Sequence, residues 1–139
     1  MGSFSSFDIS ASGISAQRTR MDVIANNIAN ADTTRTPEGG PYRRQRVTFQ
    51  SAYQQALGNR AVPSGVNVAS VTQDPTDYRT VYDPGHPDAD ESGYVKMPNV
   101  NVVEEMVDMI SATRAYEANV TVMNATKSMI AAGIEMGKA

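Results

Sequence analysis

The chain has 139 residues, 12 basic against 15 acidic side chains, and no cysteine. That length suits one domain or one extended unit. Without cysteine there are no disulfides, thiolate metal sites or cysteine nucleophiles, the acidic balance argues against bulk nucleic-acid binding, and no run approaches the roughly 18 apolar residues of a membrane span.

The first 30 residues carry apolar side chains at alternating spacings of four and three: Phe4, Phe7, Ala11, Ile14, then Met21, Ala25 and Ile28, with Arg18 the interruption. Ile24 lies beside this line. The spacing averages about 3.5 residues, the period of a coiled-coil seam, and predicts a helix from residue 5 to about 31. Ser5 is placed to cap it, Asp8 suits its positive end, and Phe4 with Ile9 would staple it. Gly13 weakens it by about 1 kcal/mol against alanine and marks where a bend would fall. The segment lacks the basic and continuous apolar regions of a Sec-type signal peptide.

All seven prolines lie between positions 37 and 98. Residues 33–41 read as a loop, 42–49 as a strand, 50–57 as a short helix, and 65–72 and 78–82 as strands. Residues 83–93 are turn-dense and acidic, and 94–97 is a short extended segment. The parts are thus 1–34, an N-terminal helix; 35–98, a turn-rich insert with short strands; and 99–139, a long C-terminal helix. The fold class is mainly α with a small β-rich insert.

From Asn99 to Ala132 there is neither glycine nor proline. Asn101 is an N-cap with Glu104 three residues on, and Pro98 sets the boundary. The seam here is Val102, Met106, Met109, Tyr116, Val120, Met123, Ile130 and Ile134, interrupted by Thr113 and Lys127, with Ile110 alongside. Burying those eight apolar residues would give on the order of 12–24 kcal/mol of gross transfer free energy. The first helix is too short to cover them, so the insert or other copies must supply the remaining surface.

Sites for chemistry are scarce. Asp88, Asp90, Ser92 and Gly93 match the opening of a calcium loop, but its twelfth place is Asn99 and no helix precedes it. An acidic solvated turn is the better reading. The single histidine, His86, sits in Pro-Gly-His-Pro, without the flanking partners of a nucleophilic triad, and no phosphate loop appears. No catalytic residue, cofactor or metal is expected. Arg43, Arg44 and Arg46 form a basic cluster, while Asp83, Asp88, Asp90 and Glu91 belong to an acidic stretch. The two suit head-to-tail contact between copies. On that reading, reversing the three arginines to glutamate blocks assembly and leaves the monomer folded. Asn26, Asn27, Asn30 and Asn119 are poor helix formers inside helices. Buried in a seam, such residues fix register or partner.

Phe7-Asp-Ile-Ser-Ala-Ser-Gly13 and Met21-Asp-Val-Ile-Ala-Asn-Asn-Ile-Ala-Asn30 resemble the N-terminal signature of bacterial flagellar rod and hook proteins. Val81-Tyr-Asp-Pro-Gly-His-Pro-Asp-Ala-Asp90, Gly93-Tyr-Val and Met97-Pro-Asn-Val-Asn-Val-Val-Glu-Glu-Met-Val-Asp-Met-Ile110 resemble the proximal-rod branch of that family. Arg114-Ala-Tyr-Glu-Ala-Asn119 resembles its C-terminal signature, and residues 50–75 carry little. The resemblance implies a structural subunit whose terminal helices pair as an antiparallel coiled coil in the inner wall of a tube, with the insert outside. It implies as partners copies of itself, other rod proteins, and inner-membrane ring and export-gate components, with no nucleic acid. It also implies export by the flagellar type III system, without a cleaved signal, to a rod in the periplasmic space. The alternative is a helical-hairpin binding module with an acidic loop of calcium type.

Overall fold

The computed structural model describes residues 2–56 and 60–138; the side chains of residues 2–4, 56 and 60 lie outside the description. The element order is α1 (Gly2–Ala29), β1 (Gln45–Ala56), β2 (Arg60–Gln73), β3 (Arg79–Tyr82), β4 (Tyr94–Met97) and α2 (Val102–Gly137). Mainly α with a β insert therefore holds. At 1.5 Å per residue α1 is about 42 Å long and α2 about 54 Å.

The cap of α2 is as the sequence predicts: the Asn101 side chain accepts from the N–H groups of Val103 and Glu104. The start of α1 is not. Its helix begins at Gly2, so Ser5 lies inside it, and the Phe4 side chain of the expected staple falls outside the described residues. Residues 50–57 are a strand rather than a helix, as far as Ala56; Leu57 lies outside the described residues. The reason is tertiary. Val66, Pro63, Val62 and Ala61 stand opposite Ser51, Tyr53, Gln54 and Gln55 and draw this segment into a hairpin, overriding a weak local preference. Register shifts at Thr48/Phe49 and Ala52/Tyr53 interrupt the ladder. Pro63 sits at the second of these, where its missing N–H costs least.

The helices run antiparallel: the pairs Asn27–Glu105, Met21–Thr113 and Gly13–Asn119 advance along α2 as they retreat along α1. The line of contact keeps Met109, Tyr116, Met123 and Ile130 of the apolar one, but its alternate positions lie one residue earlier than Met106, Thr113, Val120 and Lys127. On α2 it follows Glu105, Met109, Ala112, Tyr116, Asn119, Met123, Thr126 and Ile130. Of these Glu105, Ala112 and Thr126 are buried and the others half-buried. On α1 it follows Ser10, Gly13, Gln17, Arg20, Ile24 and Asn27, while Arg18 and Ala25 are exposed. Small residues at the closest approach let the axes come together, and Ile14, Met21 and Ile28 flank the line, half-buried. None of the eight predicted seam residues of α2 is fully buried; Met106 and Ile134 are 52% and 56% exposed. The large transfer term expected from them is therefore not realised within one chain.

α1 continues through Gly13 without ending. Glycine serves there as a spacer, because a Cβ would press on the Asn119 side chain. Gly65, at φ +120°, plays the same part between the hairpin and α1: a Cβ would strike the Ser12 hydroxyl, which accepts from the Val66 N–H at 3.1 Å. β1 and β2 thus lie along α1, while β3 and β4 form a separate antiparallel ribbon. Gly65→Ala combines left-handed strain with that clash and is expected to lower stability by about 1–3 kcal/mol, read by urea unfolding. Gly39→Ala, at a positive φ with open space around it, should cost less.

Candidate functional site

The first turns of α2 carry two features: a buried polar junction, where α1, α2 and the insert meet, and an outward apolar face. Asn27, 1% exposed, is the centre of the first. Its Nδ2 donates to the Gln45 carbonyl at 2.9 Å and to Glu105 Oε2 at 3.0 Å. Its Oδ1 accepts from the Gln45 N–H and the Tyr42 hydroxyl, both at 2.9 Å. Both donors and both acceptor positions of the amide are used. Glu105, also 1% exposed, receives Arg44 Nε at 2.6 Å. Arg44 reaches on to Asp74 at 3.3 Å and Asp108 at 3.7 Å. Asn99 closes the network, accepting from the Arg44 N–H at 2.8 Å and donating to the carbonyls of Asp74 and Thr76.

The electrostatics follow. Burial, then the negative Glu105, raises the Tyr42 pKa. Burial opposes the Arg44 charge, but Glu105 and Asp74 more than offset it and the guanidinium is held above its usual value. Asp74 is held below the ordinary carboxyl value, first by the hydroxyl and N–H of Thr76 and then, against its burial, by Arg44 and Arg46.

The charged residues expected to bridge subunits are largely committed within the chain. Arg44 belongs to the junction. Arg43 donates to the carbonyls of Asp74 and Thr76 and lies 4.5 Å over the Tyr78 ring. Arg46 is exposed, 4.0 Å from Asp74. Asp88 binds Thr34 at 2.8 Å and Arg35 at 2.5 Å, which holds its pKa down. Asp90 accepts from the N–H groups of Ser92 and Tyr94, and Asp83 from that of Gly85. The calcium-like carboxylates thus organise the turn with the chain's own donors. Glu91 is exposed. The expectation that reversing all three arginines spares the monomer is corrected: Arg44→Glu would set a carboxylate against Glu105.

The asparagines also divide. Asn27 is the junction. Asn26 is exposed, Asn30 binds back to it, and Asn119 binds the Ala115 carbonyl while packing on Gly13. Among the packing residues, Ile24 is buried, while Val102, Met109, Tyr116, Val120, Met123 and Ile130 are half-buried. Phe7, Met106 and Ile110 are exposed in the single chain. Val103, Met106, Val107 and Ile110, 52–69% exposed, form an outward stripe at helical spacing. The roles of Glu105 and Asp74 were not anticipated. The visible hint was Glu105 at a seam-adjacent position; nothing local marks Asp74.

Arg44→Ala, by stripping Glu105 of its cation, is expected to cost about 3–5 kcal/mol, whereas Arg46→Ala should cost under about 1 kcal/mol; urea melts of both variants compare them. For Asp74 the folded-state pKa lies below the unfolded value of about 3.9. Its stabilisation is complete above about pH 4 and is lost as pH falls through the lower, folded-state value. Asp74→Asn should be less stable than the parent at pH 7, and the gap should narrow below pH 4. A gap constant with pH contradicts this.

The family model "Flagella basal body rod protein" matches residues 7–35, and "Flagellar basal body rod FlgEFG protein C-terminal" matches residues 91–136. The chain is 51% identical to the flagellar basal-body rod protein FlgC of Borreliella burgdorferi over 93% of each chain. It is 47% identical to that of Bacillus subtilis over 99% of this chain and 100% of the relative. With that of Salmonella typhimurium it shares 48% identity over 95% and 96%. The chain belongs to the FlgC family of flagellar basal-body rod proteins and is a structural subunit of the proximal rod, not an enzyme.

Proposed function

We propose that α1 and α2 form an antiparallel coiled coil that packs into the inner wall of the rod tube, enclosing the export channel, with both β-ribbons outside it. The division into residues 1–34, 35–98 and 99–139 follows that arrangement. One observation carries the reading: α2 keeps an apolar stripe, Val103, Met106, Val107 and Ile110, on the side turned away from α1. Met129, Ile134 and Met136 add exposed apolar surface near its other end. A helix that is apolar on two sides needs more than one partner. Contacts between unlike surfaces that do not close generate a helical polymer, which is the form that transmits torque along a rod.

Copies of the chain and other rod proteins cover these surfaces, with Phe7, Asn26 and Asn30 on the α1 side and Arg46, Asp83 and Glu91 on the insert. Inner-membrane ring and export-gate components meet the subunit at the base of the rod. The chain reaches its place in the periplasmic space through the flagellar type III apparatus, without a cleaved signal. Among the described residues no helix is long and apolar enough to cross a membrane.

Met106→Glu combined with Ile110→Glu tests the reading. Both sites are solvent-exposed in the single chain, so circular dichroism of the purified variant should match the parent, while its incorporation into isolated basal bodies, and swimming, are lost. Normal incorporation overturns the proposal. Before about residue 35 and after about residue 100 the free monomer is expected to be cut faster than the assembled rod, where neighbours cover the exposed surfaces; limited proteolysis of both states reads this.

A further inference from the structure

We infer that Asn27 is the positioning residue that sets the register of α1 on α2. The seam repeats every seven residues, and its closest contacts are small or polar: Gly13 faces Asn119, and the next equivalents on α2 are Ala112 and Thr126. Sliding one helix by a heptad, about 10 Å, therefore meets little steric resistance. Within the described residues of the two helices, the fully buried apolar side chains are Ala16, Ile24 and Ala112. Packing of that kind discriminates weakly between registers.

Asn27 discriminates strongly. In the observed register it bonds both the N–H and the C=O of Gln45, as a neighbouring strand would, and donates its remaining hydrogen to Glu105. One side chain thereby aligns α1 with β1 and with α2. A heptad slip sets it opposite Ala112 or Pro98, neither of which supplies a side-chain acceptor. Asn27 and Glu105, both buried, would then lose partners, which is costly for an amide and more so for a carboxylate. Among the described residues the only buried side-chain polar atom without a partner is Gln17 Oε1, so the native register leaves almost nothing unpaired. Aspartate cannot substitute, having no donor and a like charge for Glu105. The register also fixes how far α2 projects beyond α1, where residues 131–137 are all exposed.

Because the chain has no cysteine, engineered pairs report register directly. Gly13→Cys with Asn119→Cys reads the native alignment; Gly13→Cys with Ala112→Cys and Gly13→Cys with Thr126→Cys, each carrying Asn119→Ala to make room for the new side chain, read the slips in the two directions. The purified full chain is concentrated until circular dichroism reports the two helices, then oxidised, and the disulfides are read by peptide mass mapping. In the parent the native pair should form at least tenfold faster than either slipped pair. In Asn27→Leu, and in Asn27→Leu with Glu105→Leu, which also removes the carboxylate that Asn27 faces, a slipped pair should rise about tenfold with helicity retained. An unchanged preference for the native pair in both backgrounds overturns the inference. So does loss of helicity in both, which would make the network a requirement of folding rather than of register, and so does a native pair that stays reduced in the parent.

Discussion

One continuous run of hydrogen bonds, from Tyr42 through Asn27 and Glu105 to Arg44 and Asp74, holds together the end of α1, the approach to β1, the turn after β2 and the first turns of α2. The other elements hang from it. The helix pair has little apolar core of its own, and the long hairpin touches α1 along one side. A buried ionic network contributes less net stability than apolar residues of the same volume, but it tolerates few alternative arrangements. Such a network makes one geometry unique without making it very deep.

The insert shows the same economy. Two-stranded ribbons are marginal alone. β1 and β2 rely on α1, with Gly65 allowing the close approach. β3 and β4 rely on Val95, Pro98 and Val100, all buried, and on the edge-to-face contact of Tyr82 with Tyr94 at 5.1 Å. Tyr53, Val62, Val71 and Val81 stay exposed on the ribbons. A single copy thus leaves apolar surface on its helices and its insert alike, as suits a subunit with neighbours on several sides.

Much of this was legible in the sequence. The absence of glycine and proline through residues 99–132 marked α2, Asn101 marked its cap, and the alternation in 65–72 marked β2. The family signatures at both ends marked the subunit. What misled was size. The large apolar residues Met106, Val120 and Ile134 trace one line along α2, but two helices approach most closely where side chains are small, so contact runs through Ala112 and the polar Asn119 and Thr126. The partners of Arg44 were equally hidden: Asp74 and Glu105 lie 30 and 61 positions away, and only the fold brings them together. The strand at 50–56 was missed because the residues opposite it decide its conformation.

A seam made of glycine, alanine, asparagine and threonine has a consequence for the chain before it folds. The longest uninterrupted apolar run is four residues, 129–132, and mean hydropathy is −0.38. Sticky segments of six or seven apolar, β-prone residues are what drive unfolded chains to aggregate. By putting its specificity into hydrogen bonds instead of a greasy core, this chain presents few such segments to its neighbours when it is extended.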